Sequence, residues 1–282
     1  MRVRIIIDST TDLAPELRGQ VEIVPLTVSF GTEEYIDGVT ITHEEFYSKL
    51  IESDVLPTTS QATPAAFAEV FEEVAAAGDS AVVITVASQL SGTCQSARIA
   101  VEDYDNIYVV DSGSVTLGAG ILTEYALQCA CSGMTAAEIA GLLEKKKEDI
   151  CLIAMLDTLE YLKKGGRISA AVAFAGGLLN IKPVVNVKDG VINKLGKARG
   201  SKQGNNLLVQ EIGKTGGIDF TMPILLGYSG LSDALLKKYI TDSAALWEGK
   251  AHTLTISIVG SVVGTHAGPG AVAVAFFTAE QD

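Results

Sequence analysis

The chain has 282 residues, 48% of them apolar but only 6% aromatic, and 21 basic residues against 34 acidic ones give a net charge of −13. That length accommodates two domains of ordinary size, and that charge would repel a nucleic acid rather than steer it. The longest nearly unbroken apolar run, residues 170–179, falls far short of the roughly 20 residues a spanning helix needs, and no basic amphipathic stretch suggests anchoring on an anionic membrane.

Strand-like and helix-like segments alternate along the chain, which is the signature of α/β organisation. Val3–Ile7 reads as a first buried strand rather than a charged leader, so the expected compartment is the cytoplasm. Val21–Phe30 reads as a second strand, with Ala81–Val86 and Ile107–Val110 as further ones. Thr63 and Pro64 predict a helix over 65–77 that Gly78 stops. A helix follows Ser91, another covers Val115–Cys131, and Thr135 with Glu138 forms a capping box for a fourth. The character changes near Cys151, where Gly165-Gly166 and Gly176-Gly177 punctuate short apolar segments. Asp189-Gly190 predicts a hairpin between 184–187 and 191–195. Helices are expected over 202–214 and 231–246, and strands over 223–228, 253–259 and 271–277. The domains are expected as 1–156 and 157–282.

Cys94, Cys129, Cys131 and Cys151 form no Cys-x-x-Cys pair and have no histidine at metal-ligand spacing, so they read as reduced thiols and no metal is expected. Histidine occurs only at 43, 252 and 266.

Polar residues gather where apolar elements end. Asp8-Ser9-Thr10-Thr11-Asp12-Leu13 follows the first strand, where it could cap the next helix or line the crevice at the carboxyl ends of the strands. Asp111-Ser112 repeats the arrangement. Thr59-Ser60-Gln61 precedes one helix and Ser91-Gly92-Thr93 opens another. Either could be simple capping, but both can offer hydroxyl and backbone donors to an anion. In Gly264-Thr265-His266-Ala267-Gly268-Pro269-Gly270 the glycines would let the chain approach a ligand closely. His266 there could donate to a carboxylate or act as a base.

The ordered set DSTTDL at the start, PTTSQATP at 57–64, LSGT at 90–93, VVDS at 109–112, LDTLEYLKKGGRIS at 156–169, GKARG at 196–200 and GTHAGPGA at 264–271 closely resembles the DegV family over essentially the whole chain. That family includes the fatty-acid-binding subunits of the bacterial fatty acid kinase system. The resemblance implies a two-domain α/β fold, with an N-terminal three-layer α/β/α domain around a parallel, Rossmann-like sheet and a C-terminal two-layer domain with a mixed sheet. It implies one long-chain fatty acid, about C14 to C18, with its carboxylate at the domain junction and its tail in an apolar tunnel. A separate kinase subunit would phosphorylate that carboxylate, the carrier itself being non-catalytic and without a cofactor. Carried over by residue, the carboxylate-binding set is Thr59, Ser60, Ser91, Gly92, Thr93, His266 and Gly268, and the partner-docking residues are Arg167 and Arg199. Lys163, Lys164, Lys194, Lys197 and Lys202 would extend a basic patch around them. Ala62-Thr63, Ala87, Cys94 and Ala273 depart from the family pattern and bear on tail length and tunnel shape.

The competing reading is a lipid-ester hydrolase or acyltransferase pairing a serine with His266. The nucleophile-elbow spacing is absent, since Gly227-Tyr228-Ser229-Gly230 lacks the final spacer. Gly213-Lys214-Thr215 has Leu208 where a phosphate loop needs glycine, and Gly118-x-Gly120 is followed by Thr123 where a dinucleotide fingerprint needs glycine or alanine.

Overall fold

The structure, a computed structural model, describes residues 2–169, 180–251 and 253–279. The apolar run 170–179, its Gly176-Gly177 pair and His252 lie outside these. The first sheet has the order β2-β1-β6-β7, all parallel, from β1 (Val3–Asp8), β2 (Glu22–Val24), β6 (Ser80–Thr85) and β7 (Ile107–Asp111). A parallel strand covered on both faces needs apolar side chains at successive positions. Accordingly, Ile5 and Ile7 pack with α4 (Thr116–Cys131) and α5 (Ala136–Lys146), whereas Ile6 packs with Phe67 and Phe71 of α2 (Pro64–Ala76) and Ala97 of α3 (Thr93–Ala100). The result is three layers, α/β/α.

The expected strand 21–30 is two strands. Pro25 has no N–H for a ladder, and the chain turns there out of the parallel sheet. β3 (Thr27–Phe30) instead forms a small antiparallel sheet, order β4-β3-β5, with β4 (Glu33–Ile36) and β5 (Thr58–Ser60). Helix α1 (His43–Glu52), opened by a Thr42/Glu45 capping box, lies between them in sequence and was not anticipated.

The second sheet is mixed and has the order β10-β9-β8-β13-β11-β12. It comprises β8 (Ile150–Met155), β9 (Ile181–Lys188), β10 (Val191–Arg199), β11 (Ile224–Tyr228), β12 (Ile256–Ile258) and β13 (Val272–Phe277). Short helix α6 (Glu160–Lys164) follows β8. Val272, Val274 and Phe276 face α7 (Gly200–Lys214), α8 (Ala234–Asp242) and α9 (Ala244–Trp247). The alternate residues Ala273, Ala275 and Phe277 face α4. This domain therefore supplies helices on one face only, and α4 of the first domain covers the other. Being covered by sheets on two sides, α4 is apolar nearly all round, and Gly118 and Gly120 sit inside it where a side chain would collide with Ser114 and with the backbone of Asp12.

Sheet membership changes between β7 and β8, upstream of the expected division at 156: Ile150–Met155, placed in the first half, pairs with β9 and β13 in the second sheet. The expected helix 231–246 is interrupted at Ser243. The expected glycine loop 264–270 is, in its first part, a helix, α10 (Ser261–Ala267), and only Gly268 and Gly270 have positive φ. Tertiary packing accounts for this, because α1 lies against Gly264 so closely that a Cβ there would come 2.6 Å from Tyr47 Oη.

Candidate functional site

In an open parallel sheet a ligand crevice forms where neighbouring strands send their connections in opposite directions. Here that place is between β1 and β6. The crevice is braced by Asp8, fully buried, whose carboxylate accepts from Thr10 N and Oγ1 and from Val86 N. Burial outweighs these bonds and pushes the Asp8 carboxyl up. Of the two readings open for this segment, the structure favours lining the crevice over capping: a 3-10 turn, residues 15–20, follows it with no side-chain cap.

Thr10 and Val86 form part of the wall of a cavity of about 230 Å³ between the two domains. Its walls divide by chemistry. Leu152, Ala154, Val185, Val187, Ile192 and Ala273 of the second sheet give an aliphatic surface, while Thr59, Ser60, Gln61, Ser91, Gly92, Arg167 and His266 give a polar one. On α10, Val262, Val263, His266 and Ala267 all line the cavity, as i, i+4 spacing on one helical face requires.

His266 joins the parts. Its Nε2 lies 3.0 Å from Thr59 Oγ1. Its Nδ1 is buried against Gly165, where a Cβ would collide with it, and has no hydrogen-bond partner among the described residues. Burial, helped by the charge of Arg167, pushes the imidazole down to about 4, so the ring is neutral at pH 7. The less costly tautomer carries its proton on Nε2 and leaves an unpaired acceptor, not an unpaired donor, at Nδ1. Nε2–H then donates to Thr59 Oγ1, and the threonine proton is free to turn toward a ligand.

Ser91 Oγ accepts from Thr93 N at 3.3 Å and lies 2.9 Å from Thr93 Oγ1. Ser91 thus holds the first N–H of α3, whose N-cap is Gly92, and also lines the cavity. Gly92 lines it too and leaves room for Gln61, whose Nε2 donates to Ser96 Oγ at 3.0 Å. Ser60 is at the exposed rim, on the opposite face of β5 from Thr59. Two members of the expected set are elsewhere. Thr93 is fully buried behind Ser91, and Gly268 packs on the Tyr161 ring, its carbonyl accepting from Ser229 Oγ. Arg167 is half-buried in the cavity wall, its Nε donating to Leu90 O and its Nη1 to Gly165 O. Arg199 is exposed at the end of β10. Ile192 of β10 packs against the apolar cluster that includes Leu162 of α6.

Thr10, Gln61 and Thr116 are cavity residues that the sequence reading did not single out as ligands. Ser229, considered for an elbow, is used up structurally, donating to Gly268 O and accepting from Ala271 N at 2.9 Å. Lys214 ends α7, and Gly118 and Gly120 are helical, so neither opens a phosphate or dinucleotide loop. The four cysteines are free thiols. Among the described residues no group of three or more His, Cys, Asp or Glu side chains could hold a metal ion, and no helix is long and apolar enough to cross a membrane.

Comparison with known proteins gives the same picture. A family model described as "Uncharacterised protein, DegV family" matches residues 2–279. A DegV domain-containing protein of Caldanaerobacter subterraneus subsp. tengcongensis is 36% identical over 281 residues, 98% of each chain. The fatty-acid-binding DegV family protein of Thermus thermophilus superposes with a TM-score of 0.88 at 32% identity, covering 99% of this chain and 100% of that one. A stearic-acid-binding protein of Eubacterium ventriosum gives 0.84 at 28% identity, covering 99% and 98%. Fold, motifs and full-length similarity agree, and the chain belongs to the DegV family.

Proposed function

We propose that the protein binds one long-chain fatty acid, about C14 to C18, with its carboxylate among Thr59, Ser60, Ser91, Gly92 and His266 and its tail along the aliphatic wall. The observation that carries this reading is the division of a single interdomain cavity into a hydroxyl-and-imidazole end and an aliphatic remainder. About fifteen methylenes at roughly 0.8 kcal/mol each offer about 12 kcal/mol before ordering and association costs, so the head group need not be clamped. The relatives of Thermus thermophilus and Eubacterium ventriosum, described as binding fatty acids, support the same reading. Organic extraction of the purified protein followed by mass spectrometry tests it: a stoichiometric C14 to C18 free acid is expected. A protein that is empty and takes up no added fatty acid would refute it.

We further propose that the protein is non-catalytic and cytoplasmic, and presents the carboxylate to a separate kinase subunit that converts it to an acyl phosphate. Hydroxyls and a neutral imidazole would leave the carboxylate nucleophilic, whereas a bidentate arginine would hold its charge. The guanidinium of Arg167 is already committed to two backbone carbonyls. Arg199 and its basic neighbours would meet the partner. Arg199→Ala is expected to leave fatty-acid affinity within about twofold and to slow phosphorylation by the partner kinase at least tenfold, since rim charges act on association and orientation. Equal phosphorylation rates would remove Arg199 from that role.

A further inference from the structure

Helix α10 brings His266 and its cavity neighbours to the site but does not hold its own first turn. Its N-cap residue, Gly260, has no side chain to offer. Seven residues are too few for a self-sustaining helix, so its placement depends on what grips its ends. Two carboxylates face the first turn: Asp12 Oδ1, from 248 residues away, accepts from Gly260 N at 3.0 Å, and Asp37 faces the backbone N–H and hydroxyl of Ser261. The other oxygen of Asp12, Oδ2, accepts from Thr116 Oγ1. Thr116 is β-branched yet has φ +49, and it lines the cavity itself. Such a conformation persists only where its surroundings impose it. Here Thr116 N donates to Thr10 O and Asp12 N to Thr116 O, so the cavity-lining Thr10, Thr116 and α10 all converge on one fully buried carboxylate.

We propose that Asp12 is a positioning residue for the ligand site, fixing through α10 the place of His266 relative to the bound head group. This rests on the fatty-acid reading of the cavity. The groups facing Asp12 are Asp37 from the turn after β4, Tyr47 from α1 and Arg18 from the 3-10 turn, and His43 of α1 in turn faces Asp37 and Arg18. Asp8, on its own segment, interacts with Asp37. Burial, with the charge of Asp37 adding to it, pushes the Asp12 carboxyl from 3.8 up to about 7 against the bonds from Thr116 and Gly260. The ionised form makes the stronger bonds to Gly260 and Thr116, but the folded state takes up the proton more readily than the unfolded one. Stability from this group is therefore present at low pH and lost as pH rises from about 4 to about 7. Position and stability thus pull in opposite directions, which a merely structural residue would not do.

The experiment compares stearic acid binding and thermal unfolding of the wild type and Asp12→Asn at pH 5.5 and pH 8. The expected result is a variant roughly tenfold weaker at pH 8, equal to the wild type at pH 5.5, and no less stable than the wild type at pH 8. The titration of the fatty acid itself is common to both proteins and cancels. Ser257→Ala removes the neighbouring bond from Ser257 Oγ to Leu13 O and is expected to show no such pH-dependent deficit. Thr116→Gly removes a bond that favours ionised Asp12 and is expected to shift the affinity transition to higher pH. This second reading applies even if the asparagine variant fails to fold. Equal affinities at pH 8, or the same deficit at both pH values, would overturn the proposal while leaving the fatty-acid reading standing. Failure of the wild type to bind stearic acid at either pH would overturn both.

Discussion

Ala273→Phe is expected to weaken binding of a C18 fatty acid by 100-fold or more while a C10 acid binds nearly as well as before. Ala273 pairs across strands with Ala154, and the two methyl groups form part of the cavity wall. They belong to its aliphatic part, next to Leu152 and Val187 in the core shared by both sheets. A phenyl ring there would occupy space in a cavity of about 230 Å³ and exclude the end of a long tail. Displacing four methylenes at roughly 0.8 kcal/mol each gives about 3 kcal/mol, or on the order of 200-fold. A chain short enough to stop before the ring loses nothing. Affinities measured across a C10 to C18 series check this. An equal loss at every length would mean that the ring disturbs the head group, and no loss at any length would place the tail along another wall. Because Ala273 is also packed in the core shared by both sheets, thermal unfolding of the variant is measured alongside to separate a blocked tail from a disturbed core.

The alternation of elements, the Thr135/Glu138 capping box and the Asp189-Gly190 hairpin were legible because each is decided locally. Thr135 needs only Glu138 three residues on, and Asp189 and Gly190 take the positive φ values, +53 and +73, that a tight hairpin turn demands. α10 was not legible. Its sequence offers a glycine at the cap and another in the middle, both unfavourable to a helix in isolation. It is helical because Asp12 caps it from another domain and α1 closes over Gly264. The head-group end shows the same division. Thr59 and His266 could be singled out by residue type, and the structure brings them into contact, yet Thr10 and Thr116 look like ordinary turn and capping residues until the two domains meet. Arg167 reads as a surface charge; it enters the cavity wall because two backbone carbonyls satisfy its guanidinium, which no local pattern reveals.

The neutrality of His266 has a consequence for the whole site. A protonated imidazole would bind an anionic head group more tightly, but burial and the adjacent Arg167 oppose that proton. On the proposed reading the neutral ring acts through Thr59, to which its Nε2–H donates, and most of the affinity would come from the tail. The price is a tighter dependence on geometry, because a neutral donor contributes only when it is aimed correctly. Gly165 matters for the same reason: its missing side chain is the space that Nδ1 occupies.

His266→Ala is accordingly expected to weaken fatty-acid binding by roughly 10-fold at pH 7, because Thr59 loses the donor that turns its hydroxyl proton toward the ligand. His266→Gln, which restores a neutral donor, should recover part of it. The same substitution has a signature in stability. The folded-state value is lowered from 6.5 to about 4, so between those values the unfolded chain binds a proton that the folded chain refuses. The wild type should lose stability from this group as pH falls from 6.5 to 4, by at most about 1.4 kcal/mol per pH unit. Asp12 acts with the opposite sign over much of that range, so the two slopes largely offset each other in the wild type. Removing His266 exposes the Asp12 slope alone, and the alanine variant should gain stability on acidification from pH 6.5 to 4.5 relative to the wild type. Chemical denaturation of both proteins at several pH values measures the difference. A variant whose stability tracks the wild type throughout would show that His266 is not held neutral by its surroundings, and unchanged affinity would remove it from the head-group site.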